Sequence, residues 1–163
     1  MEFSGGSLRK AVAYALPGLR ALSDAAASTP RAAGKWSPKE VIGHLIDSAS
    51  NNHQRFVRAQ LPGASPFDGY AQDEWVMLQR YNEAGWSGLV DLWAALNLHL
   101  ARIIEHTTEE ESQRPRPDLQ LARLAFRPAN GPVSLGWFME DYVEHLKHHL
   151  RQIDPALVPD RVD

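Results

Sequence analysis

The stretch SLGWFMEDYVEHLKHHLRQID, residues 134–154, decides the fold. Leu135, Met139, Tyr142, Leu146, His149 and Ile153 recur at spacings of 4, 3, 4, 3 and 4, and the run stops before Pro155. That is the seam of an amphipathic helix packed in a bundle. On a wheel of about 100° per residue centred on His149, Tyr142 and Phe138 lie about 20° to either side, and His145 about 40° away. The face that should enter the core thus carries two imidazoles one turn apart. Buried separately, each ring needs hydrogen-bond partners for its nitrogens. As neighbours at i and i+4, they can instead offer one nitrogen each to a shared ion. The residues alone leave both readings open.

Working outward, three more segments have helical length and period. Residues 87–106 place Leu89, Trp93, Leu96, Leu100 and Ile103 at 4, 3, 4 and 3. Residues 37–60 open on Ser37, Pro38 and Glu40, a capping box with proline at the first helical position, and stop at Leu61-Pro62-Gly63. Residues 8–27 read as an alanine-rich first helix, kinked at Pro17 and closed by Ser28-Thr29-Pro30. A short helix is expected over Asp73–Tyr81, an extended segment over Leu119–Phe126, and a turn at Asn130-Gly131. Four helices of about 20 residues predict an all-α, four-helix bundle. Its connections are too long for simple up-down-up-down wiring, so the chain reads as one domain, residues 1–163, with long crossovers.

Composition narrows the chemistry. The 163 residues include no cysteine, which excludes disulfides, thiolate metal sites and a protein thiol nucleophile. Seventeen basic against twenty acidic residues, net −3, argue against a nucleic-acid surface. No run of 18 apolar residues predicts a membrane span, and MEFSGGSLRK has no apolar signal-peptide core, so a soluble cytoplasmic protein is expected. Any metal site must use His and carboxylates. A third ligand beside His145 and His149 has four candidates, His44, His53, His99 and His106. His148 lies about 100° off the seam and should face solvent. His106 is at a helix end, and His53 reads as structural or exposed. His44 borders the apolar stripe Val41, Leu45, Ala49 and Phe56, and begins a polar flank with Asp47, Ser48, Asn51 and Arg55. That flank is either a solvated face or one wall of a cavity.

These residues resemble a known family. Trp36-Ser37-Pro38-Lys39-Glu40-Val41-Ile42-Gly43-His44-Leu45-Ile46-Asp47-Ser48, with Asn51 and Arg55, is similar to the second helix of the DinB/YfiT-like proteins. Tyr142 to Ile153 resembles their fourth helix with its HxxxH pair. Pro66-Phe67-Asp68, Glu74-Trp75 and the loop from Arg127 to Leu135 resemble the connecting elements. The resemblance covers about residues 30–154. It implies a four-helix bundle with long crossovers, a homodimer, and a divalent metal such as zinc or nickel held by three His, which map to His44, His145 and His149. It implies a small-molecule substrate and either hydrolysis or transfer using a low-molecular-weight thiol such as bacillithiol or mycothiol. Asp47, Asn51, Arg55 and His99 are then candidates to orient ligands or substrate, Arg55 by gripping a carboxylate. Where close relatives of YfiT carry a Leu-His-x-Arg-Trp element, this chain has Leu96-Asn97-Leu98-His99-Leu100.

Three neutral imidazoles leave a divalent ion its charge and an open position, where the pKa of water falls to about 7 or a thiol ionises. Two other readings compete with an enzyme. One is a non-catalytic module with hydrogen-bonded His or a structural metal. The other is a partner-binding domain with Phe67, Trp75 and Trp86 as its contact patch.

Overall fold

The computed structural model describes residues 4–159; the expected domain ends, 1–3 and 160–163, lie outside the described residues. The four long helices are α1 (Ser4–Ala21), α3 (Pro38–Arg58), α5 (Trp86–His106) and α7 (Leu135–Ile153). Between them run three short ones: α2 (Asp24–Ala27), α4 (Gln72–Gln79) and α6 (Glu109–Gln113). Among the described residues there is no β-strand, only an isolated bridge between Pro115 and Ser134. Among the described residues no helix is long and apolar enough to cross a membrane.

The wiring follows from the long connections. Helix α1 packs against α5 and α7, and α3 packs against the same two. The first and second long helices are therefore diagonal partners, as are the third and fourth. Two crossovers span the bundle ends, and α3 and α7 become neighbours although more than 70 residues separate them. That adjacency builds the site described below.

Local chemistry explains the helix limits. Ser37 accepts from the Glu40 amide at 3.2 Å while Glu40 Oε2 accepts from the Ser37 amide at 2.8 Å, so both halves of the capping box form. Ser134 Oγ accepts from the Trp137 amide at 3.2 Å and starts α7. The segment expected as one helix over 8–27 is instead two. Its break comes at Leu22-Ser23, because extended Ser23 accepts from the Ala26 amide and restarts the chain as α2. Asp24 of that turn pairs with buried Lys39 at 2.9 Å and accepts the Trp86 amide at 2.9 Å, tying α2 to α3 and α5.

Two further expectations are corrected. Residues 119–124 are not extended; they form short 3-10 turns, Pro117–Leu119 and Leu121–Leu124, around left-handed Gln120, and Ala125 after them is extended. Leu119 and Leu121 are both buried, which mimics strand alternation. With no partner strand, the backbone satisfies itself locally, as when Arg123 N donates to Gln120 O at 3.0 Å. In α5, Leu96 and Ile103 are only partly buried, and the inner face runs through Trp93, Asn97, Leu100 and Ile104. Asn97 enters the core because it is satisfied there. Its Oδ1 accepts from Tyr142 Oη at 2.6 Å, and its Nδ2 donates to Trp93 O at 2.9 Å.

Trp86 is also buried, its indole N–H donating to Leu19 O at 2.8 Å, so it cannot join Phe67 and Trp75 in a contact patch. Phe67 lies under the Arg58 guanidinium, and Trp75 stacks on Tyr70.

Gly43 is the closest approach in this framework. A β-carbon there would overlap the Tyr81 ring, which lies against α3 and sends its hydroxyl to Asp47 Oδ1 at 2.7 Å. At an exposed helix position Gly→Ala would stabilise by about 1 kcal/mol. Here Gly43→Ala is expected to destabilise by about 1–3 kcal/mol in urea denaturation, through overpacking. Stability equal to or above that of the parent would contradict this packing.

Candidate metal centre

His44 sits two turns into α3, on the side turned toward α7, and is 1% exposed. His145 and His149, one turn apart on α7, face it and are half-buried. His44 Nε2 and His145 Nε2 are 3.2 Å apart. Ring centroids are 5.2 Å for His44–His145, 4.6 Å for His44–His149 and 4.5 Å for His145–His149. One nitrogen of each ring lies within 4.8 Å of the other two.

This donor set fits a divalent cation. Two ligands at a tetrahedral angle on bonds of about 2.05 Å are about 3.3 Å apart, and the His44–His145 pair already has nearly that spacing. Burial, then the neighbouring rings, lowers the His44 pKa to about 3 and that of His145 to about 2. Burial lowers that of His149 as well. All three stay neutral near pH 7, the form that coordinates metal. His149 Nδ1 donates to Gln152 Oε1 at 2.8 Å, which fixes the proton on Nδ1 and leaves Nε2 as the lone-pair atom. The Gln152 amide in turn donates to His148 Nε2 at 3.2 Å.

The surroundings shape the approach. Trp36 lies against His44, with centroids 5.1 Å apart. Phe126, from the crossover between α6 and α7, covers the edges of His145 and His148. Its loop is held by buried Asp141. That carboxylate accepts the Phe126 and Arg127 amides at 2.6 and 2.9 Å and pairs with Arg127 Nε at 2.9 Å. Beside the histidines is a cavity of about 210 Å³, bounded by α3, α7, Tyr70 and Phe126.

The expected site residues divide. His44, His145 and His149 come together, and Arg55 lines the cavity with His44 and His145. Asp47 is buried but turned to α4, where its Oδ1 accepts from Gln79 and Tyr81, each at 2.7 Å. Burial raises its pKa. Asn51 donates to Asp47 O at 2.9 Å and does not line the cavity. His99 does not join the site either; it is exposed and stacks on His53. His106 and His148 are exposed.

Sequence reasoning missed Asn52, Tyr70, Phe126 and Asp141, which line the cavity, and assigned Gln152 no role. Asp141, one turn before His145 on a buried face, left a usable signal. Tyr70 and Phe126 sit on irregular crossovers, where no period marks them.

The family model of the DinB superfamily matches residues 7–153. The chain belongs to the DinB superfamily. Three bacterial relatives, each described as a "putative metal-dependent hydrolase", are similar to it. YfiT of Bacillus subtilis is 26% identical over 137 residues, covering 81% of this chain and 70% of YfiT. A Bacillus licheniformis protein is 24% identical over 160 residues, covering 91% and 80%. One from Oceanobacillus iheyensis is 28% identical over 123 residues, covering 74% of this chain but 64% of the relative, just under two thirds. The solved structure of Bacillus subtilis YfiT, reported to have "an unusual four-helix bundle topology", superposes with a TM-score of 0.74 at 21% identity, over 93% of this chain and 82% of that one. This chain shares that four-helix-bundle fold.

Gln152 is expected to act through His149. Gln152→Ala should weaken zinc or nickel binding by about 10–100-fold in a competitive chelator titration, with the helical circular dichroism spectrum unchanged. Unaltered affinity would show that the contact does not orient the ring.

Proposed function

We propose that this chain is a metal-dependent enzyme in which His44, His145 and His149 hold one divalent ion, zinc or nickel, and a small molecule reacts in the adjoining cavity. The observation that carries the reading is the convergence of three neutral imidazole nitrogens, with His44 and His145 lining that cavity and His149 beside them. A divalent ion held by these three neutral ligands would supply Lewis acidity, lowering the pKa of a water or a thiol. The chain has no cysteine, so a thiol nucleophile would come from a low-molecular-weight cosubstrate. Transfer to an electrophile by such a thiol, or hydrolysis by water, are the two reaction types supported.

The remaining residues bind and shield. Phe138 and Tyr142 form an apolar wall on α7, and Phe126 covers the outer side, which keeps bulk water from the reacting atoms. Tyr142 stays a neutral hydroxyl, since burial pushes its pKa far up, and is spent on Asn97. Gln152 holds the His149 proton on Nδ1.

The test is elemental analysis of protein purified without a tag or added metal. About one ion per chain is expected, lost in His145→Ala and His149→Ala and kept in His148→Ala. Less than about 0.2 ion per chain, not recovered on adding zinc or nickel, would overturn the reading. Equal retention by His148→Ala and His149→Ala would overturn the ligand assignment. With metal bound, small thiols plus a chlorinated aromatic, and separately ester and amide substrates, should show turnover that a chelator abolishes.

A further inference from the structure

Arg55 is a charged group on the cavity wall that the fold uses through a single N–H and the histidine cluster does not use. It is 6% exposed, yet among the described residues no carboxylate pairs with it. The contrast with the other inward-facing arginines is sharp: Arg116 has Asp118, and Arg127 has Asp141. Of the five guanidinium N–H donors, one contact is made, from Nη2 to the Asp68 carbonyl at 2.9 Å. A buried cation without a counter-charge is costly, so the structure retains a charge that something else neutralises. The nearby acids do not pair with it, although Asp47 Oδ2 is left without a partner. Asp141 is saturated by the Phe126–Arg127 loop, and Asp47 Oδ1 is held by Gln79 and Tyr81. The cavity is what remains in front of Arg55.

We propose that Arg55, with the Tyr70 hydroxyl on the same cavity wall, anchors a carboxylate of the small molecule whose other end reaches the three-histidine cluster. This rests on the metal-enzyme reading above and names its substrate class. Arg55 stands three turns beyond His44 on α3, about 16 Å at Cα, and its side chain leans back along the helix into the same cavity. One helix therefore presents both ends of the site. A single guanidinium balances one negative charge, which suits a carboxylate better than a phosphate monoester with its charge of about −1.5 to −2. Burial pushes the Tyr70 pKa up to about 12, so its hydroxyl stays a donor at neutral pH. A cavity of about 210 Å³ takes a small molecule, not a peptide.

The experiment uses cobalt-loaded full-length protein, with a series of ω-mercapto carboxylic acids of three to eight carbons and the ω-mercapto alcohols of equal length. Thiol ligation is read from the sulfur-to-cobalt charge-transfer band. The best acid is expected to bind about tenfold or more tightly than its alcohol. In Arg55→Gln that preference should vanish while metal content and alcohol affinity stay unchanged; Arg55→Lys should keep part of it. No preference in the parent, or the same preference in Arg55→Gln, would overturn the anchor. So would tighter binding of an ω-mercapto phosphate of equal length. Failure of the parent to take up metal would overturn the metal reading instead. Hexanoate against hexanol, titrated into metal-free parent and Arg55→Gln, then tests the anchor alone: binding of hexanoate that needs Arg55 supports it, and no such binding overturns it.

Discussion

Three imidazoles from two helices meet at one point between α3 and α7, and much of the architecture serves that meeting. Placing three basic nitrogens together away from water disfavours any proton on them, which is why His44 and His145 titrate far below an ordinary histidine. The same desolvation that makes the rings poor bases keeps their lone pairs available to a cation. The diagonal wiring makes the meeting geometrically possible. If sequential long helices were neighbours all round the bundle, α3 and α7 would be a different pair of surfaces. Here the crossovers bring them side by side, and the capping residues Ser37 and Ser134 set where along each helix the histidines fall.

Around this point the polar groups divide into those that hold structure and those left facing the cavity. Asp141 spends its carboxylate on two backbone amides and Arg127, which places Phe126 over the histidine edges. Gln152 spends its amide on His149 and His148. Asp47 is drawn to the α4 side by Tyr81, whose ring fits only because residue 43 has no side chain. Arg55 is the exception, a buried charge with a carbonyl for a partner and open volume in front of it.

Periodicity carried the fold and the three histidines because both live on regular helices, where a residue's face follows from its number. His145 and His149 interrupted an apolar seam, and His44 began a polar flank beside another. The flank itself divided in a way the wheel only half resolves. Ser48, Asn52 and Arg55 turn to the cavity, whereas Asp47 turns toward α4 and Asn51 bonds back to its own helix, because the boundary depends on which helix packs on each side. Residues from irregular chain, Tyr70 and Phe126, carried no such signal. His99 misled because a histidine about 60° from a seam is as compatible with an exposed stack on His53 as with a buried role. The extended segment expected over 119–126 gave way to turns through residue 124 for a related reason. Two buried leucines flanking a left-handed glutamine look alternating, but an all-helical neighbourhood offers no strand to pair with.

The central claim, one cation held by His44, His145 and His149, is tested most directly by X-ray absorption at the metal edge of the zinc- or nickel-loaded protein. The account predicts three imidazole scatterers, at about 2.0–2.1 Å for zinc, falling to two or fewer in His44→Ala loaded with added metal. A first shell of oxygen without imidazole, or a spectrum that His44→Ala leaves unchanged, would contradict it.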